Sequence, residues 1–220
     1  MDAYATTRLN KVRKGDRAAY DKDTVNALLD EGLVAHVGFV DHDRPVVIPM
    51  IYGRIGDTLY LHGAKATRFA KALGKGVPVC ITVTLIDGIV VARSAFHSSM
   101  NYRSVVAHGH ARLVTDEDER LAGMTVITDH MLPGRWDEAR SANAKELKAT
   151  GVIAATIEVA SAKARTGGPV DDDEDYELPV WGGVVPVRTA FGTPEDDGRL
   201  APGTALPESI AQLLQRNEGE

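Results

Sequence analysis

Residues 44–73 read RPVVIPMIYGRIGDTLYLHGAKATRFAKAL, and this stretch decides the fold. Val46, Val47, Ile48, Ile51 and Ile55 are β-branched, and Arg54-Ile55-Gly56-Asp57 supplies the Gly and Asp that tight reversals favour before Thr58 to His62 returns. The pattern predicts a β-hairpin. Pro49 lies inside the first run, where it cannot donate to a ladder. It therefore belongs at a sheet edge, a bulge, or a place where the backbone faces something other than a strand. The chain leaves the second run through Gly63, and Thr67 to Leu73 has the Ala, Arg, Lys and Leu content of a short helix that stops at Gly74. On one reading the free N–H groups of that helix start form an anion site with the Thr67 hydroxyl and the Lys65 and Arg68 cations. On the other, these are the surface charges of a solvated amphipathic helix.

Outward from this stretch, residues 23–31 carry Val25, Leu28 and Leu29 at helical spacing and end at Gly32, and Leu33 to Val40 reads as a strand. Asp41 to Arg44 turns it into the Val46 run, giving a three-run meander up to His62. Further β-runs follow at Val77 to Leu85, at Ile89 to Ala92 after an Ile86-Asp87-Gly88 turn, and at Tyr102 to Val114. Thr115 to Met131 reads as a helix with an acidic first turn, Pro133-Gly134 breaks it, and residues 137–150 read as another helix before the strand Val152 to Val159. Such a chain is mainly β with peripheral helices, about six or seven antiparallel strands in a closed or half-closed barrel, because a doubly wound sheet would alternate strands and helices throughout. The expected organisation is a basic, loosely structured arm over 1–20, one barrel domain over 21–160, and a C-terminal extension over 161–220 that packs on the barrel or on a partner.

Bulk properties exclude several classes. A net charge of −6 gives no electrostatic footprint for nucleic acid. No apolar run approaches the ~18 residues of a transmembrane helix, and the polar N-terminus lacks a signal peptide's apolar segment, so the expectation is a cytoplasmic protein with no membrane partner. The single cysteine, Cys80, excludes an internal disulfide and any multi-cysteine metal site. It reads as a small core residue, because its strand offers no cation to activate a thiol.

A second constellation runs from Phe96 to Val114. Strand alternation there separates Arg103 from Ser104 onto opposite faces unless a bulge intervenes. His108 and His110 share a face, and His36 and His97 are further candidates for a metal set. No acidic ligand stands at a recognisable spacing, so no metal is assigned and the histidines read as structural or barrel-lining.

Three stretches in this order, Pro49 to Tyr52, Leu61 to Arg68 and Asn101 to Val106 running into Gly109, resemble the pyridoxamine 5′-phosphate oxidase-like superfamily of FMN-binding split β-barrels. Within it the chain is most similar to the flavin-nucleotide-binding branch that includes nitroimidazole-resistance reductases. The resemblance implies a split barrel that forms a homodimer, with FMN at the subunit interface. The flavin ring would lie against Val47, Ile48, Pro49 and Met50. Ala64, Lys65, Thr67 and Arg68 would grip the phosphate, and Asn101, Tyr102, Arg103 and Ser104 would complete the site across the interface. His62, Tyr52 and the backbone beside Pro49 are candidates for tuning the ring, and Trp181 either closes over it or anchors the tail. No catalytic residue is assigned, since a flavin itself carries the electron transfer. The implied activity is FMN-dependent reduction or oxidation of a small molecule such as a nitro compound or quinone, with NADH or NADPH as donor. The basic, histidine-containing C-terminal signature of the vitamin B6 oxidases is absent, so their substrate is not inherited. The other readings are a non-catalytic flavin-binding module, a deazaflavin-dependent reductase, a haem-binding or haem-degrading split barrel with a histidine such as His62 as axial ligand, and a pyridoxamine phosphate oxidase proper.

Overall fold

The computed structural model describes residues 2–215. In chain order the elements are β1 (Ala18–Ala19), α1 (Lys22–Glu31), β2 (Ala35–Asp41), β3 (Arg44–Met50), β4 (Gly53–Ile55), β5 (Thr58–Ala64), α2 (Arg68–Leu73), β6 (Lys75–Val91) and β7 (Ser99–Leu113). They are followed by α3 (Glu117–Met131), α4 (Arg135–Glu138), α5 (Ala144–Ala149), β8 (Thr150–Arg165), β9 (Gly183–Pro186) and α6 (Glu208–Gln215). All strand pairs are antiparallel. The main path through the sheet is β3-β2-β6-β7-β8-β5-β4, with β1 beside β8 and β9 beside β6.

That path is open, yet its two ends are sequence neighbours. Only Ile51 and Tyr52 separate the end of β3 from the start of β4. Because successive Cα atoms are about 3.8 Å apart, the two ends of the sheet lie within roughly 11 Å of each other. The sheet must therefore curl into a barrel that is split between β3 and β4. Its concave side buries Val37, Leu59, Leu61, Ile81, Val83 and Val105, and α1 adds Val25, Leu28 and Leu29. Each such side chain contributes on the order of 1.5–3 kcal/mol of burial. α1 is fixed at its start by the Asp21 side chain, which accepts from the Thr24 N–H.

The expected meander is corrected here. Thr58 to His62 does form a hairpin, but with β4, through a turn at Gly56, whose φ of +58° favours glycine. β3 pairs with β2 at the opposite end of the sheet path. The β-run count rises to nine strands among the described residues, because β1, β4 and β9 are too short to show a pattern in sequence. Residues 86–88 are a bulge within one long strand instead of a turn, since Ile86 pairs with Tyr102 and Gly88 with Asn101 while Asp87 is drawn to Arg103. The helix expected over 137–150 is two short helices, because Asn143 and Glu146 form a capping box that restarts the chain. Gly109 lies where β7 crosses a register shift in β8. A Cβ there would lie 1.8 Å from the Thr156 carbonyl oxygen, so only glycine fits. No helix among the described residues is long and apolar enough to cross a membrane.

Candidate functional site

The platform expected from the opening stretch is an edge. β3 pairs only with β2, which reconciles Pro49 with a strand. Val47 and Pro49 are exposed on one face, while Ile48 and Met50 are half-buried on the other and pack against the core. The α2 start lies beside the turn end of the β2–β3 hairpin. Arg68 Nε is 3.5 Å from an Asp41 carboxylate oxygen, and Asp41 closes the β2–β3 turn opposite Arg44. Thr67 is the N-cap, its hydroxyl accepting from Ala70 N–H at 3.3 Å and donating to Ala64 O at 2.7 Å. Ala64, Lys65, Thr67 and Arg68 are all exposed. The α2 start thus meets the β2–β3 hairpin at its turn, and Val47 to Met50 lie further along β3. His62, on β5, is half-buried, and burial pushes its pKa below the usual imidazole value.

Asn101, Tyr102, Arg103 and Ser104 lie elsewhere in the chain's own fold. Asn101 is buried and donates to Gly167 O, Ser104 donates to Lys163 O, and Lys163 stands over the Tyr102 ring. Arg103 turns to the opposite face, as alternation predicts, and bonds both Asp87 and Glu31. Those hydrogen bonds hold the guanidinium in its charged form.

Arg103 also lines a cleft of about 820 Å³ that sequence reasoning missed. Leu33, Val34, Leu85, Ile86 and residues 187–191 of the tail form its walls, and His36 of β2 stands on its lining. The tail reaches this position because β9 pairs with β6 and Val187 N–H donates to Asp87 O. Asp87 within an apolar run was the one local signal of a charged partner nearby.

Two further expectations change. Tyr52 is fully buried, its hydroxyl on the Leu29 carbonyl and its ring 4.6 Å from that of His130, so it bridges α1 and α3 and does not reach a ring site. Cys80 has a neighbour across the strands, with Sγ 4.0 Å from His108 Nε2, although burial pushes the thiol pKa up. His110 pairs with Glu158. His97 stands with Asp172 and Asp175, a carboxylate pair too distant in sequence to be read from spacing. Trp181 is 63% exposed just before β9.

The sequence pattern described as Pyridoxamine 5′-phosphate oxidase matches residues 21–164, well over half of the chain. The chain belongs to that family. Among solved structures it is similar to the flavocytochrome Anf3 from Azotobacter vinelandii, at 41% identity and a TM-score of 0.88 over 96% of this chain and 98% of that one. It is also similar to the FAD and heme binding protein from Mycobacterium smegmatis, at 37% identity and a TM-score of 0.85 over 90% of this chain and 97% of that one. A putative 5-nitroimidazole antibiotic resistance protein from Bacteroides thetaiotaomicron shares the fold at 22% identity and a TM-score of 0.57, over 66% of this chain and 85% of that one. No curated protein matches the chain.

Proposed function

We propose that this family member is a flavin- and haem-binding oxidoreductase that exchanges electrons with a small molecule. The observation that carries this reading is its end-to-end likeness, at 41% identity, to a protein described as a flavocytochrome. The 37% identical relative described as binding FAD and heme supports the same pairing of cofactors. This chain's residues fit both groups. The β3 edge offers an apolar face at Val47 and Pro49 for a flat ring, and Lys65, Thr67 and Arg68 offer cations and a hydroxyl for phosphate. The cleft offers an imidazole at His36, apolar walls, and the Arg103 guanidinium, shared with Glu31 and Asp87, for a carboxylate. A bound flavin and haem supply the electron chemistry, while the protein sets orientation and electrostatics.

The flavin is FMN, as the resemblance implies, or FAD, as the second relative suggests. The protein works as a homodimer with the flavin at the subunit interface. Two observations support this: Val40 and Val47 stay more than 60% exposed on the outer sheet face, and Asn101 to Ser104 lie away from the clamp within one chain. A second copy would bring Asn101, Tyr102 and Ser104, and Trp181, to the ring, while Arg103 stays at the cleft. The donor is a reduced nicotinamide or another one- or two-electron carrier.

The test is an absorption spectrum of the protein purified without added cofactor, followed by chromatography of the released flavin. A Soret band together with flavin bands is expected. Flavin bands alone, persisting after haem is supplied, would reduce the reading to a flavoprotein, and neither band after both cofactors are supplied would sink it.

A further inference from the structure

The arm over 1–20 was expected to be loose, but its described part, residues 2–20, folds into an ordered loop whose ends meet. Tyr4 N–H donates to Tyr20 O at 2.9 Å, and Ala3 bridges Asp21. The loop is pinned from within by Asn10, which is 2% exposed. Asn10 donates to Ala5 O and to Ala160 O of β8, and accepts from the Thr7 N–H and hydroxyl. Val12 N–H donates to the Tyr20 hydroxyl. A compact surface loop with joined ends and an internal polar anchor is an Ω-loop, a frequent carrier of function.

On this scaffold stand Arg8, Lys11, Arg13, Lys14 and Arg17, with Asp16 as the single acid between residues 5 and 19, a net charge of +4. The whole chain carries −6, so the remainder carries −10. Elsewhere five arginines, Arg54, Arg93, Arg103, Arg112 and Arg140, each hold a carboxylate. The five loop cations make no ion pair with a described carboxylate, and Leu9 stands among them 59% exposed. Rigid, unneutralised cations around an exposed apolar residue suit a partner with an acidic patch, because the ordering cost is already met. The acidic remainder repels an extended polyanion such as nucleic acid or an anionic membrane plane, whereas a compact acidic protein meets the loop alone.

We propose that this loop is the docking surface for a small acidic electron-carrier protein. That the partner is an electron carrier rests on the oxidoreductase reading above; the docking itself does not. The test titrates the full-length protein against a fluorescently labelled plant-type [2Fe–2S] ferredoxin and a flavodoxin, at about 20 mM and about 300 mM salt, across which the screening length shrinks several-fold. The triple variant Arg8→Glu, Lys11→Glu, Arg13→Glu is compared with Lys145→Glu, Lys148→Glu, whose side chains are also exposed but lie on α5. Expected are saturable binding at low salt, about tenfold or greater weakening in high salt and in the loop variant, and no change in the α5 variant. Absence of binding to both carriers by protein whose spectrum shows bound cofactor would overturn the proposal. So would binding that the loop reversal leaves unchanged, or binding to phosphatidylserine vesicles in place of the carriers. Loop-dependent carrier binding by protein that takes up neither flavin nor haem would leave docking intact and sink the oxidoreductase reading.

Discussion

At the start of α2, Lys65, Thr67 and Arg68 are sequence neighbours and stand exposed, with one long contact to Asp41. At the cleft, Glu31, His36, Asp87 and Arg103 come from four different stretches, and the Arg103 guanidinium is already shared between the Glu31 and Asp87 carboxylates, which leaves the trio with a net charge of −1. The first region keeps its cations available to an incoming anion. The second mixes apolar walls at Leu33, Val34, Leu85 and Ile86 with paired charges and one imidazole. Charge availability thus separates the two regions: the proposed phosphate site has cations to spare, and the proposed haem site does not.

Substitutions can break this comparison. His36→Ala should remove most of the Soret absorbance while leaving the flavin bands, read from spectra of purified variants; an unchanged Soret band would move the haem to another histidine. Arg68→Ala should weaken flavin binding by about 1.5–3 kcal/mol, the scale of a charged hydrogen bond, in an intact fold. Fluorescence titration checks it, and wild-type affinity in a folded variant would remove α2 from the site. Arg103→Ala should weaken haem retention by about three- to tenfold while leaving flavin affinity alone, since Arg103 is shared with Glu31 and Asp87 before any ligand arrives. Equal effects on both cofactors would merge the two regions into one site.

The smallest expected effect is on pH. Burial holds the folded-state pKa of His62 below its unfolded value of 6.5, so the unfolded chain binds more protons once pH falls towards that value. The His62 contribution is therefore neutral above the unfolded pKa and turns destabilising as pH falls through 6.5 towards the folded pKa. His62→Gln should flatten the loss of stability between about pH 7 and pH 5 in denaturant melts. An unaltered slope would mean that His62 is solvated.

Much of the first region was legible from local pattern. Thr67 and Gly74 bracket α2 as cap and stop, and Pro49 in a β-run predicted an edge that the sheet order supplies. Alternation alone separated Arg103 from Ser104. What it could not show was partnership. Asp87 looked like a turn residue because its ion pair with Arg103 spans two strands, and Tyr52 looked accessible because nothing local says that α1 and α3 close over it. Residues 137–150 read as one helix because the capping box at Asn143 competes with a continuous propensity signal.

By itself the sequence determined most of the element types, the antiparallel β class, the short capped helix at α2 and the family, because these depend on periodicity, caps and short contiguous motifs. Tertiary structure alone decided that β3 and β5 sit far apart in the sheet order. It also decided that the chain's two sheet ends meet at Ile51 and Tyr52, that the tail walls a cleft containing His36, and that a buried Asn10 orders the basic loop. Strand order, ion pairs and buried polar anchors join residues tens of positions apart, and no local periodicity encodes which distant partner a hydrogen-bonding edge or a charge will find.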